Sequence, residues 1–456
     1  MKVVVLGAGL AGLSAADELV RRGHEVVVLE KEPFHGGLAA TVKKDGFAYD
    51  LGPHRFHTSE KRILDAVSNL PGVDLLELNR VSRIRLFDRY FDYPLAFSNV
   101  LSTMPLHRGV GMMLSFFWEK VRGLFSPREQ KSFEGWVLSR FGSGLYNLYL
   151  APYNRKLWGI EPTELSADWA SQRITVPSLA GLVKETIAPS EETVRSLVST
   201  FHYPGGGIGE ICRGLVSRIT ATGGSFLFSS ELSSVKREEN KWRIDLSDGH
   251  ILCDRIISTI PVNRYTELLG SILPEKVHQA ASRLKFRALV FLTVLLSSEI
   301  KPEDHWIYTS EDRYLFNRLS IPGNFDPEAP SQVVFEYSCQ EGDDIWNMSK
   351  EELLKSTIPG AVHLGLFSAD MVLGADVSRR AHAYPIYDLN YAENTAAVLD
   401  ALEKLKDSVT CGRQGLFRYN NMDHSIEMGR YAALEVLGEA SVKDHFNWDE
   451  NTWADG

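Results

Sequence analysis

Cysteine is scarce. The 456 residues hold four, Cys212, Cys253, Cys339 and Cys411, with no Cys-x-x-Cys pair and no histidine at a zinc-module spacing. That excludes a disulfide framework and a structural zinc site, and it predicts reduced thiols in apolar cores and no metal. Positive charge is also short: 49 Lys and Arg stand against 59 Asp and Glu, a net charge of −10. A basic face able to hold nucleic acid is therefore not expected. No apolar run approaches the roughly 18–20 residues that span a bilayer. The longest lie at 288–296 and 110–118. The second contains Met112, Met113, Phe116, Phe117 and Trp118 and reads as a core-facing helix rather than a membrane contact. The chain starts directly on a strand-like run, without the charged-then-apolar pattern of a signal peptide, so a cytoplasmic location is expected. Internal repeats and low-complexity linkers are lacking too. What remains, with 44% apolar residues, is a chain large enough for two or three packed domains.

The first thirty residues are the most informative. Val3-Val4-Val5-Leu6 reads as a buried strand, and Gly7-Ala8-Gly9-Leu10-Ala11-Gly12 follows at once. A helical stretch through Ala15, Ala16, Leu19 and Val20 leads to a second strand, Val26-Val27-Val28-Leu29, ending at Glu30. Strand, glycine-rich turn, helix, strand and acid, in that order, make a dinucleotide site. Gly7 serves the tight turn, Gly9 lets backbone approach a pyrophosphate, and Gly12 lets helix pack on strand. The helix start offers free N–H groups at Leu10 and Ala11 to phosphate. Glu30 is placed to accept hydrogen bonds from a ribose diol, beside Lys31.

A second glycine pair, Gly36-Gly37, comes six residues after Glu30 and precedes Leu38, and Phe47-Ala48-Tyr49-Asp50-Leu51-Gly52 follows. This continuation resembles the flavoprotein group of amine oxidases, phytoene desaturases and UDP-galactopyranose mutases, which implies FAD rather than NAD. Residues 60–200 read as mostly helical, with long helices at 106–125 and 133–150. After Tyr203-Pro204-Gly205-Gly206-Gly207 come a helix over 208–221 and short strands around Val235, 242–246 and 251–260. The resemblance implies that the strand near Val235 gives backbone groups to the adenine. Strands follow at 288–295 and 333–337, then helix after Pro385, a strand-like turn at 409–415 and a last helix. The expected fold is α/β: a Rossmann-like FAD/NAD(P)-binding domain of the GR2 type with inserted helical and antiparallel-sheet substrate domains. The expected boundaries are 1–60, 203–265 and 380–456 for the FAD domain, 61–202 for the helical part and 266–379 for the sheet-containing part.

Four stretches narrow the resemblance. They are 50–58, Asp-Leu-Gly-Pro-His-Arg-Phe-His-Thr; Phe133-Glu134 through Tyr153-Asn154-Arg155-Lys156-Leu157-Trp158-Gly159 to Gln172-Arg173-Ile174; Tyr384-Pro385-Ile386; and 412–423, Gly-Arg-Gln-Gly-Leu-Phe-Arg-Tyr-Asn-Asn-Met-Asp. In this order they resemble UDP-galactopyranose mutases over nearly the whole chain. The resemblance implies that Arg173 and Arg318 clamp a substrate diphosphate through bidentate guanidinium forks. It implies that Tyr153 and Trp158 line a sugar pocket, that Tyr384, Tyr419 and Asn421 touch substrate, and that Arg413 and Tyr419 sit against the flavin. Met422 would open a helix whose N-terminus faces the flavin's pyrimidine end, and His54 or His57 would contact the ring. Two departures stand out. No arginine occurs in 295–299, and the aromatic pair expected around a uracil is only partly echoed, at Tyr149-Leu150.

The implied activity is a flavin-dependent interconversion of the pyranose and furanose forms of a nucleotide sugar, serving cell-surface polysaccharide biosynthesis. Non-covalent FAD would act in its reduced form, its N5 as nucleophile, with NAD(P)H as reductant. The partner is then a small nucleotide sugar, and a homo-oligomer is compatible with it. The alternative is an FAD-dependent oxidoreductase of the amine oxidase, protoporphyrinogen oxidase or phytoene desaturase type. A non-catalytic module of the same fold, as in prenyl-GTPase escort proteins, fits less well with the intact glycines, Glu30 and Arg413.

Overall fold

The computed structural model describes residues 1–93, 103–173 and 200–446, excluding the side chains of Leu106, Gln172 and Arg173. Strand β1 (Lys2–Leu6), helix α1 (Leu10–Arg21) and strand β2 (Glu25–Leu29) form the opening unit. Val3, Val4, Val5 and Leu6 are all fully buried, as a strand covered on both faces requires. The strands belong to a five-stranded sheet in the order Ser408–Thr410, Arg255–Ser258, β1, β2, Ser225–Leu227. Every pairing in it is parallel. A parallel neighbour cannot follow by a hairpin, so the sheet gathers strands from widely separated parts of the chain. Helix α1 packs against both Gly209–Ala221 and Met422–Val436. The second crossing is so close that a Cβ on Gly429 would lie 2.0 Å from the Ala11 carbonyl oxygen.

A seven-stranded sheet stands beside this unit. Its order is Val372–Pro385, Phe286–Leu296, Gln332–Cys339, Arg318–Ser320, Trp306–Thr309, Ser82–Leu86 and Arg89–Asp92. All its pairs are antiparallel except Trp306–Thr309 with Ser82–Leu86. A three-stranded antiparallel sheet, Leu232–Glu238, Lys241–Leu246 and Gly249–Cys253, adjoins the nucleotide side.

The described part of 61–202 is mostly helical but not all helix: Leu75–Asn79, Ser82–Leu86 and Arg89–Asp92 are strands. In Ser82–Leu86 the alternate residues Ser82, Ile84 and Leu86 are buried, the period-2 pattern of a strand, and arginines 83 and 85 mask it in a search for apolar runs. Helix Leu106–Phe125 is not simply core-facing either. Met112 and Phe116 are buried, while Val110, Leu114, Phe117, Trp118, Val121, Leu124 and Phe125 are exposed. Helix Phe133–Leu145 crosses it at Gly142 (φ +77°), where a Cβ would sit 2.8 Å from the Phe116 Cα. The chain then widens into a π-type turn, Tyr146–Leu150, before Ala151–Trp158. Among the described residues no helix is long and apolar enough to cross a membrane. The four cysteines are buried and unpaired.

Candidate functional site

One connected cavity of about 1520 Å³ runs from the glycine turn after β1, between the two large sheets, to helix Leu106–Phe125. At its nucleotide end the glycines divide their work. Gly7 has φ +102°, and a Cβ there would meet Thr259 Oγ1 at 2.6 Å. A Cβ on Gly12 would be 2.0 Å from the Gly7 carbonyl oxygen, so this glycine keeps α1 close to the turn rather than lining the cavity. Around Gly9 a Cβ would meet nothing within 4 Å, which leaves its backbone open to the cavity. Gly37 closes over it, 3.3 Å from the Gly9 Cα. The first-turn amides of α1, at Leu10 and Ala11, have no acceptor within the helix and face this space.

Glu30 lines the same end. Its Oε2 accepts from the Ala8 amide (2.8 Å) and its Oε1 from the Glu32 amide (3.0 Å). Each carboxylate oxygen keeps a further lone-pair site, enough for a diol. Lys31, Leu38 and Gly52 also line the cavity. Val235 does not. It is fully buried in the core under the three-stranded sheet, and Ser230, Glu231 and Leu232 reach the cavity instead. The strand begins at Leu232, with a bulge between Leu232 and Ser234.

In the middle of the cavity stand His54, His57, Arg413, Tyr419, Asn421 and Met422. Gly52 has φ +134°, and its missing side chain makes room for the His54 ring, 3.1 Å from where a Cβ would be. Burial, aided by the Arg413 and Arg318 charges, pushes the His54 imidazole down to about 3. It is therefore a neutral hydrogen-bonding group at ordinary pH, and its Nδ1 finds no partner among the described residues. Arg413 donates to the carbonyls of Asn420 (2.6 Å) and Ala383 (3.2 Å), with its guanidinium carbon 4.2 Å from the centre of the Tyr419 ring. Tyr384 and Tyr419 stack at 5.6 Å, and Trp158 meets Tyr384 edge-on at 6.0 Å.

Beyond them lies a group that the sequence pattern only half revealed. Arg318 and Glu336 are directly opposed on adjacent antiparallel strands. Arg318 Nη2 donates to both carboxylate oxygens of Glu336 (2.9 and 2.7 Å) and to the Tyr384 hydroxyl (3.2 Å). Its Nε is buried without a partner among the described residues. Tyr308 lies under that guanidinium at 5.6 Å and stacks on Tyr93 at 4.6 Å. Arg80 covers the Tyr93 ring at 5.6 Å. Tyr153 meets Tyr308 edge-on and stacks on Tyr149 at 5.4 Å. Tyr149 thus pairs with Tyr153, four residues further along one helical face. That spacing was the available signal. Burial raises the Tyr149, Tyr153 and Tyr384 phenols, which stay protonated donors. Arg173 ends helix Ala167–Arg173, but its side chain, like Ile174 beyond it, lies outside the described residues.

The donor set fits a flavin dinucleotide: an open glycine turn on a helix start, a ribose acceptor, and orphaned polar atoms further in. Comparison with known proteins agrees. The fold matches reduced UDP-galactopyranose mutase with a TM-score of 0.83 at 22% identity, over 96% of this chain and 94% of that one. It matches putrescine oxidase bound to putrescine with a TM-score of 0.65 at 15% identity, over 96% and 99%. A 4,4'-diapophytoene desaturase of Staphylococcus aureus (strain COL) is 38% identical over 95 residues. That match spans 20% of this chain and only 18% of the desaturase. The family model for flavin containing amine oxidoreductases matches residues 10–363. The chain therefore belongs to the flavin containing amine oxidoreductase family, whose cofactor is FAD.

Proposed function

We propose that the protein is an FAD-dependent sugar-nucleotide mutase, interconverting the pyranose and furanose rings of a nucleoside-diphosphate sugar. One observation carries this reading: the connected group of Arg80, Arg318, Tyr93, Tyr149, Tyr153 and Tyr308 at the far end of the cavity. Flat phenol faces suit a nucleobase, and guanidiniums suit a diphosphate. An amine substrate would bring its positive charge against the same arginines. The likeness to the mutase fold supports the reading at the level of architecture.

The bound flavin, non-covalent and reduced by NAD(P)H, supplies a nucleophile without net electron transfer. The chain's own residues position and stabilise. Arg318, held by Glu336, keeps its remaining N–H groups for phosphate oxygens as the diphosphate leaves and returns. Arg173 serves as the second clamp. Tyr384 and Tyr419 offer hydroxyls to the sugar, Trp158 walls the pocket, and Asn421 reaches the substrate from the last helix. Neutral His54, with His57, holds polar atoms at the flavin edge. The segment match to a phytoene desaturase favours the alternative of a net oxidoreductase, but it covers only 20% of this chain and 18% of the desaturase.

Calorimetry of the reduced protein with UDP, GDP and dTDP tests the proposal. At least one should bind. Arg318→Lys keeps a charge opposite Glu336 and loses the fork, so affinity should fall while the melting temperature holds. Arg173→Ala should weaken binding by roughly 2–5 kcal/mol, the usual cost of truncating one partner of a buried charge pair. A wild type indifferent to all three nucleotides would remove the mutase and leave the oxidoreductase.

A further inference from the structure

Helix Leu106–Phe125 presents two faces with opposite surroundings. Its inner face puts Met112 and Phe116 into the cavity wall. Its outer face carries Val110, Leu114, Phe117, Trp118, Val121, Leu124 and Phe125, spaced as one helical stripe. These side chains are not marginally exposed: Leu114 is 65%, Trp118 68%, Leu124 80% and Phe125 84% accessible. A soluble surface rarely leaves such a contiguous apolar stripe uncovered.

The charge beside the stripe says what covers it. The helix carries Arg108, Lys120 and Arg122 and a single acid, Glu119, in a chain whose net charge is −10. Lys120 and Arg122 border the stripe, while Arg108 lies on the far side over the Phe87 ring at 4.3 Å. Glu119 is buried and taken up by Arg128 and Arg122 (2.6 and 3.3 Å), so it gives the surface little negative charge. Basic side chains flanking an exposed stripe of Trp, Phe and Leu are the pattern of a helix lying in a membrane interface. A second copy of this face would set the same basic residues against each other, which disfavours self-pairing.

We infer that this helix docks the protein, peripherally and reversibly, on an anionic lipid bilayer through the stripe centred on Leu114, Trp118 and Phe125. The helix lies in the headgroup boundary and does not cross it. Its inner face stays part of the cavity wall, so the membrane-facing element and the site share one helix.

Sedimentation of the full-length, FAD-loaded protein with vesicles tests this. Vesicles of phosphatidylcholine and phosphatidylglycerol in equal parts should carry down wild type, and pure phosphatidylcholine vesicles at least tenfold less. Raising salt to 0.5 M should lower binding to the anionic vesicles severalfold, since surface attraction is screened. The variant Leu114→Ser/Trp118→Ser/Phe125→Ser should lose at least tenfold in vesicle binding with an unchanged flavin spectrum and melting temperature. The single variant Leu114→Ser provides the same readout with less change should the triple variant fail to fold. No binding of wild type to either vesicle would overturn the inference, as would binding that the variants leave intact. A wild-type dimer that the substitutions dissociate, without vesicle binding, would assign the stripe to a second copy instead.

Discussion

We propose that Glu30 serves the fold and the cofactor together. Both of its oxygens already hold backbone amides, those of Ala8 and Glu32. Glu30→Ala should therefore loosen the glycine turn as well as remove the ribose acceptor. FAD affinity should drop by at least about 1.5–3 kcal/mol, the net worth of one charge-assisted bond. Equilibrium dialysis of FAD against wild type and variant measures it, and an unchanged affinity would refute the role. His54 makes a prediction in pH. Its imidazole is pushed down to about 3 when folded, while an unfolded histidine titrates near about 6.5. Below about pH 6.5 the unfolded chain takes up a proton that the folded one refuses, so stability falls as pH falls, down to about 3. Each pH unit in that window costs about 1.4 kcal/mol. His54→Gln should remove this slope, so urea unfolding at pH 7, 6 and 5 should favour the variant progressively in acid. A stability difference independent of pH would mean that His54 is not held neutral.

Among the elements, the clearest dependence is that of the last helix on α1. Met422–Val436 crosses α1 with Gly429 against the Ala11 carbonyl, and its first residue lines the cavity. Gly429→Ala forces the helices apart and should cost roughly 1–3 kcal/mol, the usual range for overpacking. It should also weaken FAD binding, because Ala11 and Met422 shift together. Thermal melts with and without FAD separate the two effects. The elements that were legible in the sequence are those whose signals are local. The turn from Gly7 to Gly12, β1, β2 and strand Phe286–Leu296 announce themselves within a few residues. Ser82–Leu86 was hidden because arginines occupy its partly exposed positions. Glu336 beneath Arg318 was hidden for another reason: the two meet only through strand register, eighteen residues apart.

Over the whole molecule, the cavity ties together residues from Gly7 to Ser425. A ligand held by that many elements binds the folded state and not the unfolded one. At a hundredfold excess over its dissociation constant it adds about 2.7 kcal/mol. Protein stripped of FAD should melt lower by on the order of a few °C and recover on reconstitution. Scanning calorimetry of the stripped and reloaded protein checks this, and identical transitions would mean that the folded chain does not hold the cofactor.

The parallel sheet closes at its edge with Ser408–Thr410, paired to Arg255–Ser258. Arg413, Asn421 and Met422, which reach the cavity, follow that strand. A ribosome delivers these parts well after the glycine turn. Until they are made the nascent chain carries half of a cofactor cradle, with the Gly7–Gly12 turn exposed and its sheet unfinished. Flavin capture then waits for distant segments to join, so it reports on assembly and does not nucleate the fold.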